Sequence, residues 1–143
     1  MTQRITDTAW PAHQLAISQL RRAVFIDEQQ VPEALEWDDK DEAARHFCLW
    51  QGETLAAYAR LLMLEGNTGK VTRMAVSQSQ RGVGLGQHLV QHIIAWARQA
   101  GLKTLVLEAQ VQAQGFYERQ QFVASGEVFW DAGIEHRHMA LRL

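Results

Sequence analysis

The chain has 143 residues, 47% hydrophobic and 21% charged, with 2 prolines and 10 glycines; this suits one folded domain over residues 1–143 and excludes a disordered, collagenous or repeat chain. Its single cysteine, Cys48, excludes an intramolecular disulfide and a multi-thiolate metal site, and fits a reducing cytoplasm. A net charge of −2 gives no general attraction to nucleic acid, and neither a signal peptide at Met1–Trp10 nor a membrane-spanning apolar run is expected.

Charge is unevenly placed. Between Asp27 and Glu42 stand eight of the 16 acidic residues against one base, Lys40, so the rest of the chain is weakly basic. Trp37 lies amid these acids, and negative charge beside an aromatic face would attract a cationic amine; the plainer alternative is a solvated acidic loop.

In chain order, Pro11 opens a helix from about Ala12 to Ile26, carried by Leu15, Leu20, Val24 and Phe25 at near-helical spacing, and the acidic segment follows as a loop. Phe47–Trp50 and Thr54–Leu64 form a hairpin about Gln51-Gly52-Glu53, with a further strand from Lys70 to about Val76. Leu85, Leu89, Val90, Ile93, Ile94, Trp96 and Ala97 mark a helix that Gly101 ends, followed by a buried strand from Thr104 to Leu107. A short helix at Ala113–Arg119 and strands at Phe122–Trp130 and Glu135–Leu141, joined by Asp131-Ala132-Gly133, complete an α/β order. The strand–helix–strand crossover requires a parallel pair and the hairpins antiparallel ones, so the sheet is mixed.

Arg81-Gly82-Val83-Gly84-Leu85-Gly86 lies between a strand and a helix. Glycines there let backbone N–H groups converge where the helix aims its own unsatisfied N–H groups, a place for phosphate or pyrophosphate. Gln87 and His88 stand where a P-loop needs lysine and serine or threonine, which excludes nucleoside triphosphate hydrolysis. A dinucleotide loop needs its third glycine one residue later. Glu108 could still mimic the ribose-binding acid, but only 35 residues follow it.

Arg81-x-x-Gly84-x-Gly86 resembles the (Q/R)-x-x-G-x-(G/A) loop of the GNAT N-acetyltransferases. Gln110, Ala113, Tyr117, Gln121 and Phe122 resemble that family's N-x-x-A-x-x-x-Y-x-x-x-G-F segment at the right distance. Val24 to Gln29, Arg45-His46, Ala109-Gln110 and Gly133-Ile134-Glu135-His136 further resemble its ElaA-like branch, so the resemblance spans nearly the whole chain. It implies an α/β domain with a mixed central sheet of about seven strands and about four helices, and acetyl-CoA as co-substrate. Gln121 replaces the family's glycine, which leaves the turn after the last helix open to a local difference.

The resemblance also implies roles. Pyrophosphate would rest on the N–H groups of Arg81, Gly82, Val83, Gly84, Leu85, Gly86 and Gln87. Pantetheine would pair like a strand with Met74, Ala75 and Val76, an N–H of Ala75 or Val76 polarising the thioester, and Gln110 and Phe116 would contact the cofactor. Tyr117 matches the acid that protonates the departing thiolate. For the base that frees the amine, Glu28, Glu108, His46 and His136 are all candidates.

No metal is expected. His88 and His92 are four apart on a helix but lack the glutamate of H-E-x-x-H and a third ligand, and His136 and His138 merely share a strand face. Cys48, in an apolar strand, reads as packing and not as a nucleophile. The expected reaction is direct transfer of acetyl to a primary amine in a ternary complex, the acceptor a small amine or a lysine-bearing chain, cationic in character. The rival is a non-enzymatic acyl-CoA sensor, which has no need of Tyr117. An exposed strand edge with Phe129 and Trp130 would support a homodimer.

Overall fold

The computed structural model describes residues 2–143. Seven strands form one mixed sheet: β1 (Gln3–Ala9), β2 (Arg45–Gln51), β3 (Thr54–Leu64), β4 (Thr68–Val76), β5 (Thr104–Gln110), β6 (Val123–Asp131) and β7 (Ile134–Arg142). Their order is β1-β2-β3-β4-β5-β7-β6, with β4–β5 the parallel pair and every other pair antiparallel. The helices are α1 (Gln14–Arg21), α2 (Glu33–Glu36), α3 (Leu85–Gln99) and α4 (Gln114–Arg119).

The first helix runs on past Ile26, because α1 passes into a π-helix over Arg22–Glu28 that ends with the Gln29 N–H donating to the Val24 carbonyl. The acidic segment is not all loop, since α2 folds within it. On α3 the apolar stripe is buried as its spacing predicts except at Trp96, which is only partly covered. Gly101, at φ +82, closes a Schellman turn in which the Leu102 N–H bonds the Ala97 carbonyl. Gln121 adopts φ +78, so the left-handed turn is kept without the family's glycine.

Two cores sandwich the sheet. Leu89, Ile93 and Ala97 of α3 pack with Phe47, Leu61, Leu105 and Met139 on one face, while Ile17, Leu20, Val24 and Phe25 pack with Cys48, Trp50, Tyr58 and Ala75 on the other. The second layer stops at β4, which leaves that face of β5 and β7 to Val106, Glu108 and Gln110 and to Ile134, His136, His138 and Ala140. At the far edge of the sheet β6 exposes Trp130 and Val123, whereas Phe129 stacks on His136.

The feature that positions the site is a bulge in β4. Tyr58 and Arg60 on β3 oppose Ala75 and Thr72, so two residues of β4, Arg73 and Met74, face the single Ala59, and Arg73 takes φ +56. The extra residue inverts the strand's alternation: Val71 packs toward α3, and beyond the bulge Met74 and Val76 do so while Ala75 turns to the α1 side. Pairing between β4 and β5 ends at Val71 and Leu107. Beyond it the two strands part, and the edge of β4 facing β5 is left without a strand partner.

Candidate active site

The glycine loop enters α3 as its sequence requires. Gly82 and Gly84 take φ +83 and +85, where a β-carbon would be strained although nothing crowds it. No side chain caps α3, and its first internal bond is from the His88 N–H to the Gly84 carbonyl (3.1 Å), so the N–H groups of Leu85, Gly86 and Gln87 lack intrahelical acceptors. They border a cavity of about 370 Å³ that Phe116, Arg119 and Gln120 wall from the α4 side. A β-carbon on Gly86 would meet Phe116 Cζ at 3.4 Å and Met74 Cε at 3.5 Å, ordinary van der Waals contact, so these two side chains pack directly on the helix start.

Val83 is 69% exposed and borders neither cavity, which separates it from the other loop residues. Arg119 and Gln120 were not legible as site residues. Their signal is their spacing of three and four from Phe116, which places all three toward the loop.

A second cavity, of about 500 Å³, occupies the gap where β4 and β5 part. Met74, Ala75 and Val76 line one side, and Ala109, Gln110, Phe116 and Tyr117 the other; Val76, Arg81, Gly86 and Phe116 border both cavities, so the two adjoin and together make the groove. The Tyr117 ring meets Phe116 and Phe122 edge-on, at 5.0 and 5.8 Å between centroids. Burial pushes its phenol above the ordinary tyrosine range, so it stands protonated as a donor. Gln110 donates to Gln29 Oε1 (2.9 Å) and accepts from Gln112 (3.0 Å), which ties β5 to the end of the π-helix.

The four candidate bases are not equivalent. Glu28 grips Arg81 with both oxygens (2.5 and 2.7 Å), and that guanidinium, whose Nε also donates to the Val76 carbonyl, holds the carboxyl below its ordinary value; a carboxylate so engaged is a poor base. His46 lies outside the groove, wholly buried in β2. Its Nε2 donates to the Asp41 carbonyl (2.8 Å), so its Nδ1 accepts from the Tyr58 hydroxyl (2.6 Å); burial lowers its pKa, and neither nitrogen is free. Glu108 does face away from Leu105 and Leu107 and lines the groove, with Oε1 on Lys70 Nζ (3.0 Å). His136 lines the same groove and donates from Nδ1 to the Ile134 carbonyl (2.7 Å).

The acidic segment is divided: Asp27, Asp39 and Glu42 are exposed, while Glu36, Asp38 and Asp41 turn toward arginines. Arg21, wholly buried, donates to Glu36 Oε2 (2.7 Å), the Glu36 carbonyl (2.9 Å) and Asp41 (2.8 Å). Arg60 donates to Asp38 (2.7 and 3.0 Å), Asp41 (2.9 Å) and Thr72 (3.0 Å), and Arg73 reaches Glu36 (3.1 Å) from the β4 bulge. Three guanidiniums thus face three carboxylates. Burial alone would raise Asp38, but Arg60, the Lys40 backbone N–H and Arg73 carry it well below the usual carboxylate range. Trp37 is also taken: the guanidiniums of Arg21 and Arg22 lie 5.0 and 5.8 Å from its ring centre.

The remaining histidines stand apart from any metal-binding group. His88 bonds Gln3, His92 packs edge-on to Phe47, and among the described residues no three His, Cys, Asp or Glu side chains are placed to share an ion. Burial pushes the Cys48 thiol up to about 12, which suits packing and not nucleophilic attack. No helix among the described residues is long and apolar enough to cross a membrane.

The model of the GNAT acetyltransferase family matches residues 3–122. Over 121 residues the chain is 34% identical to the uncharacterized N-acetyltransferase YjcF of Bacillus subtilis, covering 84% of this chain and 86% of that protein. It is 35% identical to Escherichia coli ElaA over 133 residues, 87% of this chain and 84% of ElaA. The ElaA crystal structure superposes with a TM-score of 0.88 at 30% identity, covering 97% of this chain and 99% of that one. A Lactobacillus plantarum crystal structure does so with a TM-score of 0.93 at 26% identity, covering 100% and 99%.

Proposed function

The chain belongs to the GNAT acetyltransferase family, whose members carry out acetyl-CoA-dependent acyl transfer, and we propose that it moves the acetyl group to a primary amine by direct attack in a ternary complex, as a single domain. The observation that carries this reading is the groove made by the two adjoining cavities. At one end it has the unpaired N–H groups of α3, in the middle the unpartnered edge of β4, and beside that the protonated phenol of Tyr117. These match in order a pyrophosphate, an extended pantetheine arm and a thioester.

In this reading the pyrophosphate rests on the N–H groups of the glycine loop, with Arg119 beside it. Pantetheine lies along Met74–Val76, Gln110 and Phe116 contact it, and a backbone N–H of Ala75 or Val76 holds the thioester oxygen as charge develops. Tyr117 protonates the departing thiolate. For a cationic acceptor, Glu36, Asp38 and Asp41 offer little because they serve arginines, whereas Asp27, Asp39 and Glu42 stay exposed; Glu108 and Asp131 are the groove acids outside the arginine cluster.

The test is calorimetric titration with CoA and acetyl-CoA, then a free-thiol assay over a panel of amines, for wild type and Tyr117→Phe. Wild type should bind and release thiol. The variant should bind CoA about as well and turn over about 10²- to 10⁴-fold more slowly. Binding without thiol release would favour the sensor, and unchanged turnover in the variant would remove the acid role.

A further inference from the structure

We infer, resting on the acetyl-transfer reading, that His136 is the general base that takes the proton from the acceptor's ammonium, held for that task by the main-chain carbonyl of Ile134. A carbonyl can only accept, so the bond from Nδ1 (2.7 Å) places the proton on Nδ1 and leaves the Nε2 lone pair basic. Nε2 has no protein partner and is not sealed from solvent among the described residues. The ring is fixed on a second side by Phe129, stacked at 5.9 Å with 24° between the planes. A base oriented by one hydrogen bond and one stacked ring, with its other nitrogen free and its residue on the groove wall, is the arrangement proton abstraction needs.

None of the other three candidates offers this. Glu28 is bound at both oxygens by Arg81, His46 is bonded at both nitrogens outside the groove, and Glu108 is engaged by Lys70. The strand register places Gln110 directly opposite His136, and Glu108 diagonal to it on the same face. Along the sheet the charged and titratable groups beside it are Glu108 with its partner Lys70, His138 two residues along β7, and Asp131 at the hairpin tip, and across the same cavity stand Tyr117, Lys40, Arg81 and the cluster of Arg60 and Arg73 with Glu36 and Asp38; Glu135 and Arg137 alternate to the other face.

The protons balance. The substrate ammonium gives one to His136 Nε2, and the amine lone pair then attacks the thioester carbon, forming C–N. The tetrahedral oxyanion collapses with loss of the C–S bond, and the thiolate takes the Tyr117 proton. The amide nitrogen returns its surplus proton to the Tyr117 oxygen, and the imidazolium releases its own to solvent.

The experiment compares wild type, His136→Gln and His136→Ala with spermidine, lysine and ethanolamine as acceptors, by thiol release across pH and by CoA calorimetry. Both variants should bind CoA within about threefold of wild type, lose about 10²- to 10⁴-fold in kcat and lack the acidic limb of the pH–rate profile; added imidazole should restore part of the His136→Ala rate. In wild type, long-range ¹⁵N correlation spectra should show the Nδ1–H tautomer. A retained acidic limb, no rescue by imidazole, or the Nε2–H tautomer would each overturn the base assignment alone. No thiol release by wild type with any of these amines would overturn the acetyl-transfer reading, and the assignment with it.

Discussion

Replacing Arg21 by methionine tests whether the acidic segment exists to neutralise buried arginines. Methionine keeps much of the side-chain volume but removes the donors to Glu36 (2.7 and 2.9 Å) and Asp41 (2.8 Å), and the cation over Trp37. Glu36 is 2% exposed and would keep only Arg73, at 3.1 Å. Removing one partner of a buried pair costs about 3–5 kcal/mol, and the surviving bond puts the loss near the low end, about 3 kcal/mol. For a chain of this size that lowers Tm by about 10 °C. Urea unfolding followed by tryptophan fluorescence measures it, and the Arg21→Met/Glu36→Gln double variant should be less destabilised than the two single losses together. Arg21→Met within about 1 kcal/mol of wild type would show that these acids are solvated after all.

The remaining predictions concern single positions. Gln121→Gly should stabilise by about 1 kcal/mol, read as a rise in urea midpoint, because it relieves a non-glycine side chain at φ +78. Gly84→Ala, at φ +85, should cost about 1–2 kcal/mol and weaken CoA binding in calorimetry by disturbing the N–H groups of the loop. Asp38 is depressed when folded, so its stabilising contribution is complete above the unfolded aspartate value, about 3.9, and is lost as pH falls through the folded value; in acid titrations Asp38→Asn should flatten that decline. Glu28→Gln and His46→Gln should both keep the acidic limb of the pH–rate profile, since neither side chain is free to act as the base.

Local signals served well where the structure is itself local. The spacing of Leu85, Leu89, Ile93 and Ala97 and the stop at Gly101 define α3 before any tertiary contact is considered, and the hairpin turns at Gly52 and Gly133 do the same for their strands. The β4 bulge escaped, because neither Arg73 nor Met74 is a residue that announces left-handed backbone. So did the fate of the acids: charge can be counted along a chain, but whether Asp38 meets water or Arg60, 22 positions on, depends on the chain between them folding into two strands.

Sequence alone determined the α/β order and the glycine loop ahead of a helix start, since each rests on spacing within one or two adjacent elements, while Tyr117 was marked by the family resemblance. Tertiary structure alone decided which polar groups are occupied. It turned Glu36, Asp38 and Asp41 toward buried arginines, sealed His46 against Tyr58, engaged Glu28 with Arg81, and left His136, on the groove wall, one nitrogen without a protein partner. A side chain's chemistry follows from its burial and its hydrogen-bond partners, and those partners come from strands and helices far away in the chain.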